Sequence, residues 1–222
     1  MLIGLGGTGG TGGKILRAQR KNVFQEFRGS ETDLAKLRYL CIDSSKEMMA
    51  IDDASWRVLG QSVQLPPSSQ LLITGGNLNQ ILDNLSVHPN IQPWIGNRDQ
   101  WKDILNSIVG ETLGGQKRRL GWFLFASKSR SFKDQIKQVA GQLATGGESS
   151  ITFHICCGLA DGTGNGSLID VVSQIRALFR DARVHRIVIY AQLPEEIPNP
   201  NWDTGITTPT ATLPRGNSMR WE

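Results

Sequence analysis

Seven of the 25 glycines fall between Gly4 and Gly13, in the run GLGGTGGTGG. A second run, GTGNGS, occupies Gly162 to Ser167. Successive backbone N–H groups without side chains in the way can wrap an oxyanion, and a helix N-terminus adds a favourable dipole. Each run sits between an apolar segment suited to a strand and a segment with helical periodicity. A tight turn explains one such run as readily as a ligand does. Two on the same sheet, both opening helices, point to a polyphosphate.

The elements that would position these runs follow from periodicity. Leu2–Leu5 reads as the end of a short strand, Lys14–Phe27 as an amphipathic helix, and Arg38–Asp43 as a buried strand ending in an acid. Residues 54–112 give a weaker signal. Pro66 and Pro67 break the chain, Leu78–Leu82 suggests a short helix and Trp101–Val109 another, so this stretch reads as an insertion packed on the core. Gly114, Gly115 and Gln116 open a further loop before apolar Leu120–Ala126, and Phe132–Leu143 is helical in period. Ser150–Cys157 reads as a strand, Gly158–Gly166 as a glycine loop, and Leu168–Phe179 as a helix with apolar residues at i, i+3, i+4 and i+7. Arg186–Leu193 completes the series as a buried strand. Beyond it, five prolines from Pro194 to Pro214 and no periodicity mark an irregular tail. Alternating strands and helices with near-continuous apolar strands predict an α/β fold, a Rossmann-like parallel sheet with helices on both faces. Ligands of such sheets bind at the carboxyl ends of the strands. Both glycine runs, Asp43 and the Gly114 loop belong there.

Composition narrows the class. The chain has 222 residues, 39% of them hydrophobic, enough for one large domain and inconsistent with a disordered or fibrous chain. Uninterrupted apolar stretches are far shorter than the ~20 residues of a membrane span. No basic-then-apolar leader is present, and Cys41, Cys156 and Cys157 lie inside apolar runs, which suits buried thiols in a reducing cytoplasm. The net charge of +4 is unevenly placed, with seven Lys or Arg and one acid between Gln116 and Lys137. That run reads either as a solvated helix face or as a contact for a phosphate-bearing ligand or partner; no nucleic-acid signature accompanies it. His154 falls in a strand among apolar neighbours, as a core histidine does, while His88 and His185 lie in polar connections. No nucleophile–base grouping emerges.

Three nucleotide readings compete. A P-loop requires G-x-x-x-x-G-K-[ST], but Thr8 stands at its first glycine and Ile15 at its hydroxyl, so it fails. A dinucleotide-binding oxidoreductase domain fits Gly4, Gly6 and Gly9 as G-x-G-x-x-G with Asp43 on the ribose, although Asp43 lies 37 residues beyond Gly6 and the second glycine run goes unexplained. The third reading is a family resemblance. IGLGGTGGTGG resembles the first nucleotide loop of the tubulin/FtsZ superfamily. GLADGTGNGSLID is similar to its signature G-G-G-T-G-[ST]-G, with Gly162, Thr163, Gly164 and Gly166 at matching positions. Ala160 and Asp161 stand where two glycines are expected, and Asn165 where Ser or Thr is usual. A carboxylate there repels phosphate unless it faces a metal or solvent. LGGQKRRLG is similar to the third loop of bacterial tubulin-like proteins. CIDSS and AQLPEE fall where the family carries its second and ribose-side loops, so the resemblance spans most of residues 1–196.

The resemblance implies a GTP-binding protein, with GTP or GDP and Mg2+ as ligands. Gly6, Gly7, Thr8, Gly9 and Thr11 would hold the α- and β-phosphates. Gly162, Thr163, Gly164, Asn165 and Gly166 would wrap the β- and γ-phosphates. Asp43, Ser44 and Ser45 would lie near the metal or its waters, Gly114, Gly115 and Gln116 would sense the γ-phosphate, and Glu195 or Glu196 would reach the ribose. Asp43 reads equally as the cap of its own turn. The family implies self-association into oligomers or filaments and a GTPase reaction completed by an acidic loop of the neighbouring subunit. That loop follows a central helix that residues 197–222 do not resemble, whether because the chain is truncated there or because the protein lost that half. A nucleotide-free interaction module on the same fold is the remaining alternative.

Overall fold

Residues of both faces of Leu2–Leu5 (β1) are buried because this strand is the middle member of five parallel strands. The structure, a computed structural model, describes residues 1–6, 11–27, 36–50, 54–74, 77–106, 118–145, 147 and 149–193. After β1 come helix Thr11–Phe27 (α1), strand Tyr39–Asp43 (β2), the short helix Lys46–Ala50 (α2), and a small hairpin of Arg57–Val58 (β3) and Gln61–Ser62 (β4). Strand Gln70–Leu72 (β5) and the helices Leu78–Asp83 (α3), Gln92–Ile95 (α4) and Arg98–Asn106 (α5) follow. Helices Arg118–Ser127 (α6) and Ser129–Thr145 (α7), strand Thr152–Gly158 (β6), helix Gly162–Leu178 (α8) and strand Arg186–Gln192 (β7) complete the order.

The sheet runs β5-β2-β1-β6-β7, every pair parallel. Register puts Leu5 opposite both Ile42 and Cys157, so the carboxyl ends of the three central strands open at one level. Alternation then sorts the faces. Ile3, Leu5, Leu40, Ile42, Phe153 and Ile155 join Trp101, Phe123, Phe132 and Val171 in the main core under the later helices, whereas Tyr39 and Cys41 face Leu16 of α1. Each fully buried Phe or Leu contributes about 2 kcal/mol of burial free energy. No helix among the described residues is long and apolar enough to cross a membrane.

Five expectations change. Arg186–Leu193 is a strand through Gln192, but a largely exposed one, with Ile189, Tyr190 and Leu193 open. Among the described residues it stands at the edge of the sheet, with Ile187 packed against the main core. His154, on the α1 side of β6 in a pocket shared with Ile15, Gln19 and Val23, is partly buried and stacks on Tyr190, its Nδ1 3.1 Å from the Tyr190 hydroxyl. The stretch read as an insertion supplies β5, paired to β2, and sinks Trp101 and Ile95 into the main core. The Gly158–Gly166 run is helix from Gly162 onward, and α1 starts three residues early at Thr11, because packing outweighs the poor helix propensity of glycine.

Candidate functional site

The turns at the carboxyl ends of β1, β2 and β6 are brought together largely by close backbone approach. Gly6, just past β1, has φ +80°, a conformation that favours glycine, and its N–H donates to the Ile42 carbonyl at 2.9 Å. Gly13 N–H returns to the Gly6 carbonyl at 3.0 Å. At Gly12 a Cβ would come within 2.4 Å of the Leu5 nitrogen, so α1 crosses β1 only because that side chain is missing. Thr11 then brings its hydroxyl beside Gly158 at the end of β6, where a Cβ would meet Oγ1 at 2.7 Å.

The residues after β2 form a buried polar turn. Asp43 Oδ1 accepts the Ser44 N–H at 2.6 Å and the Ser45 N–H at 3.2 Å, and all three residues are buried. This is the local side-chain-to-backbone bonding that makes Asp a turn residue. Thr74, after β5, donates its hydroxyl to the Ser44 carbonyl at 2.9 Å. Ser44 Oγ lies 3.0 Å from Thr163 Oγ1 in the first turn of α8, a buried contact between residues 119 apart in sequence. The turns after β2, β5 and β6 are thereby tied together.

Asp161 is the N-cap of α8, its Oδ1 accepting the Thr163 N–H at 3.1 Å. Burial raises its carboxyl above the usual range, while the Thr163, Gly164 and Gly162 N–H groups pull it down. The preceding turn is clamped from outside: Leu159 O accepts from Asn165 Nδ2 at 2.5 Å and from Arg118 Nη2 at 3.2 Å. Asn165 thus spends its amide on the turn. Gly166 faces α6, where a Cβ would lie 2.3 Å from the Arg118 carbonyl, and Gly164 sits under β1, where a Cβ would lie 2.8 Å from the Leu5 carbonyl. Burial, with Asp161 next in effect, pushes the Cys157 thiol up to about 11; burial and Asp43 push Cys41 up to about 12. Neither is a thiolate at neutral pH, so neither is a nucleophile.

Of the residues expected to hold a ligand, Gly6, Thr11, Asp43, Ser44, Ser45, Gly162, Thr163 and Gly164 lie together at the carboxyl ends of β1, β2 and β6. Asn165 and Gly166 instead line a cavity with Trp94, Arg118, Trp122 and Asp170, Asn165 bonded to the Leu159 carbonyl and Gly166 packed under that of Arg118. Gly7, Thr8, Gly9, Gly114, Gly115, Gln116 and Glu195 lie outside the described residues. Thr74 and Arg118 enter unforeseen. Thr74 carried a signal, since apolar Leu71–Ile73 runs into Thr74-Gly75-Gly76 as β1 runs into its own glycines. Arg118 carried none beyond belonging to the basic run.

A family model described as "Tubulin like" matches residues 1–210. Neither the curated proteins nor the solved structures return a match to this chain.

Proposed function

The chain belongs to the tubulin-like family, and on that premise we propose that it binds GTP or GDP with Mg2+ across the carboxyl ends of β1, β2 and β6. The γ-phosphate state of the nucleotide then governs self-association, and hydrolysis is completed by a neighbouring subunit, so that the dilute chain turns over very slowly. The observation that carries this reading is the buried contact of Ser44 Oγ with Thr163 Oγ1, which brings two distant polar turns to the mouth of β1 beside Gly6. A buried pair of hydroxyls beside helix N–H groups offers a phosphate donors from two directions.

Mg2+ fits as an ion carried in by the phosphates, with Asp43, Ser44 and Ser45 beside it or its waters. Among the described residues no group of three His, Cys, Asp or Glu is placed to hold a metal alone, and Mg2+ is usually shared between one or two protein ligands, phosphates and water. When bound, it neutralises phosphate charge. The chain's own residues orient the phosphates through Thr11, Thr163 and the N–H groups of α8. The dinucleotide alternative gives no reason for the second glycine run to meet the turn after β2 at Thr163 and Ser44.

Calorimetry with GTP, ATP and NAD in the presence of Mg2+ tests the reading. Thr163→Ala should weaken GTP binding at least tenfold while circular dichroism stays unchanged. It is a cleaner variant than Gly164→Asp, which would drive a side chain into the Leu5 carbonyl. NAD binding indifferent to Thr163→Ala would replace this reading with the dinucleotide one.

A further inference from the structure

Asp161 stands where the turns leaving β1 and β6 meet, and it brings a negative charge to a place built for one. Its backbone is extended, at φ −77° and ψ 140°, and Oδ1 caps α8. Capping accounts for one oxygen. The other, Oδ2, is sealed from solvent and has no hydrogen-bond partner among the described residues. It points across to the first glycine turn: a Cβ on Gly6 would come 1.7 Å from it, and one on Gly164 would come 3.0 Å from it. Among the described residues no Lys or Arg pairs with this carboxylate; Arg118, the cation bonded to the same turn, donates to the Leu159 carbonyl instead. A buried carboxylate oxygen without a donor is unfavourable. It persists here because the same side chain caps the helix.

We infer that Asp161 is the resident anion of the cleft, its carboxylate standing between Gly6 and the first turn of α8 where a ligand phosphate would otherwise lie, so that a phosphate enters only by displacing it. The inference takes its ligand from the nucleotide reading above, but the displacement itself concerns any phosphate-bearing anion. Two negative groups at contact distance in a partly buried site repel strongly, and the N–H groups of the first turn serve one anion at a time. Asp161 therefore sets the affinity of the cleft: it fills the cradle in the empty protein and penalises every ligand in proportion to the charge brought next to it. Removing the charge while keeping a cap opens the site. Asn and Ser both cap helices about as well as Asp, so Asp161→Asn and Asp161→Ser isolate the charge from the fold.

The experiment titrates the wild-type chain and both variants with inorganic pyrophosphate and with GTP–Mg2+ by calorimetry, with thermal unfolding to show that each is folded. The expected result is a gain of tenfold or more in affinity for both anions in both variants. Affinities unchanged or weaker in the folded variants, alongside measurable GTP binding by the wild type, would overturn the resident-anion role and leave the nucleotide reading standing. Pyrophosphate binding gained by the variants while the wild type binds no GTP would uphold the role and remove the nucleotide reading. Absence of anion binding from all three forms would overturn both.

Discussion

The turn leaving β1 and the turn leaving β6 are both rich in glycine, yet their glycines answer different demands. In the first, Gly6 needs its positive φ to turn the chain, and Gly12 lets α1 lie on the backbone of Leu5. In the second, no described glycine from Gly158 to Gly166 has positive φ. Gly164 and Gly166 are there for contact, one under the Leu5 carbonyl and the other under the Arg118 carbonyl, and Gly121 of α6 approaches the Gly162 carbonyl in the same way. The lesson is that glycine density alone does not mark a ligand cradle. What marks this cleft is polar: hydroxyls of Ser44 and Thr163 in contact, and an acid at the helix cap with one oxygen left over.

The sharpest way to break the contrast is to add a methyl group on each side. Gly12→Ala and Gly166→Ala should each destabilise the protein by about 3 kcal/mol or more, because backbone atoms rather than flexible side chains block the new Cβ. Urea unfolding measures both. A Gly166→Ala variant as stable as wild type would mean that α6 and α8 separate readily, and that the second turn keeps its glycine for a ligand after all.

A smaller effect separates the turns by charge. Burial holds the Asp161 carboxyl above its ordinary value of 3.8, so the folded chain binds that proton more tightly than the unfolded one. The resulting stability is fully present below 3.8 and is lost as pH rises through the raised folded-state value. Asp161→Asn should lack this fall and be at least as stable as wild type at neutral pH. Unfolding midpoints followed from acid to neutral pH would show it; parallel curves for the two proteins would sink the idea.

The smallest change lies away from both turns. Tyr190→Phe removes an exposed hydroxyl bonded to His154 and should shift stability by no more than about 0.5 kcal/mol. A loss several times larger, read by the same urea titration, would show that the open face of β7 contributes to the core rather than bordering it.

Much of the architecture was legible in the chain. Apolar runs at β2 and β6 and the periodicity of α7 and α8 are local properties, and local properties are what periodicity records. The three residues of β5 are too few to alternate, so only their pairing with β2 reveals a strand. The exposure of β7 was hidden for a related reason: its residues are as apolar as those of β6, and an edge position depends on what stands beside it. At the site, residue types and spacing by themselves marked the polar run after β2, the two glycine runs and the departure at Asp161, because each lies within a few consecutive residues. Only the tertiary structure decided what those residues face. It set Ser44 against Thr163, assigned Gly166 to α6 and aimed the spare oxygen of Asp161 at Gly6. Contacts across 40 to 160 residues arise from strand order and helix crossing, which no local stretch of chain encodes.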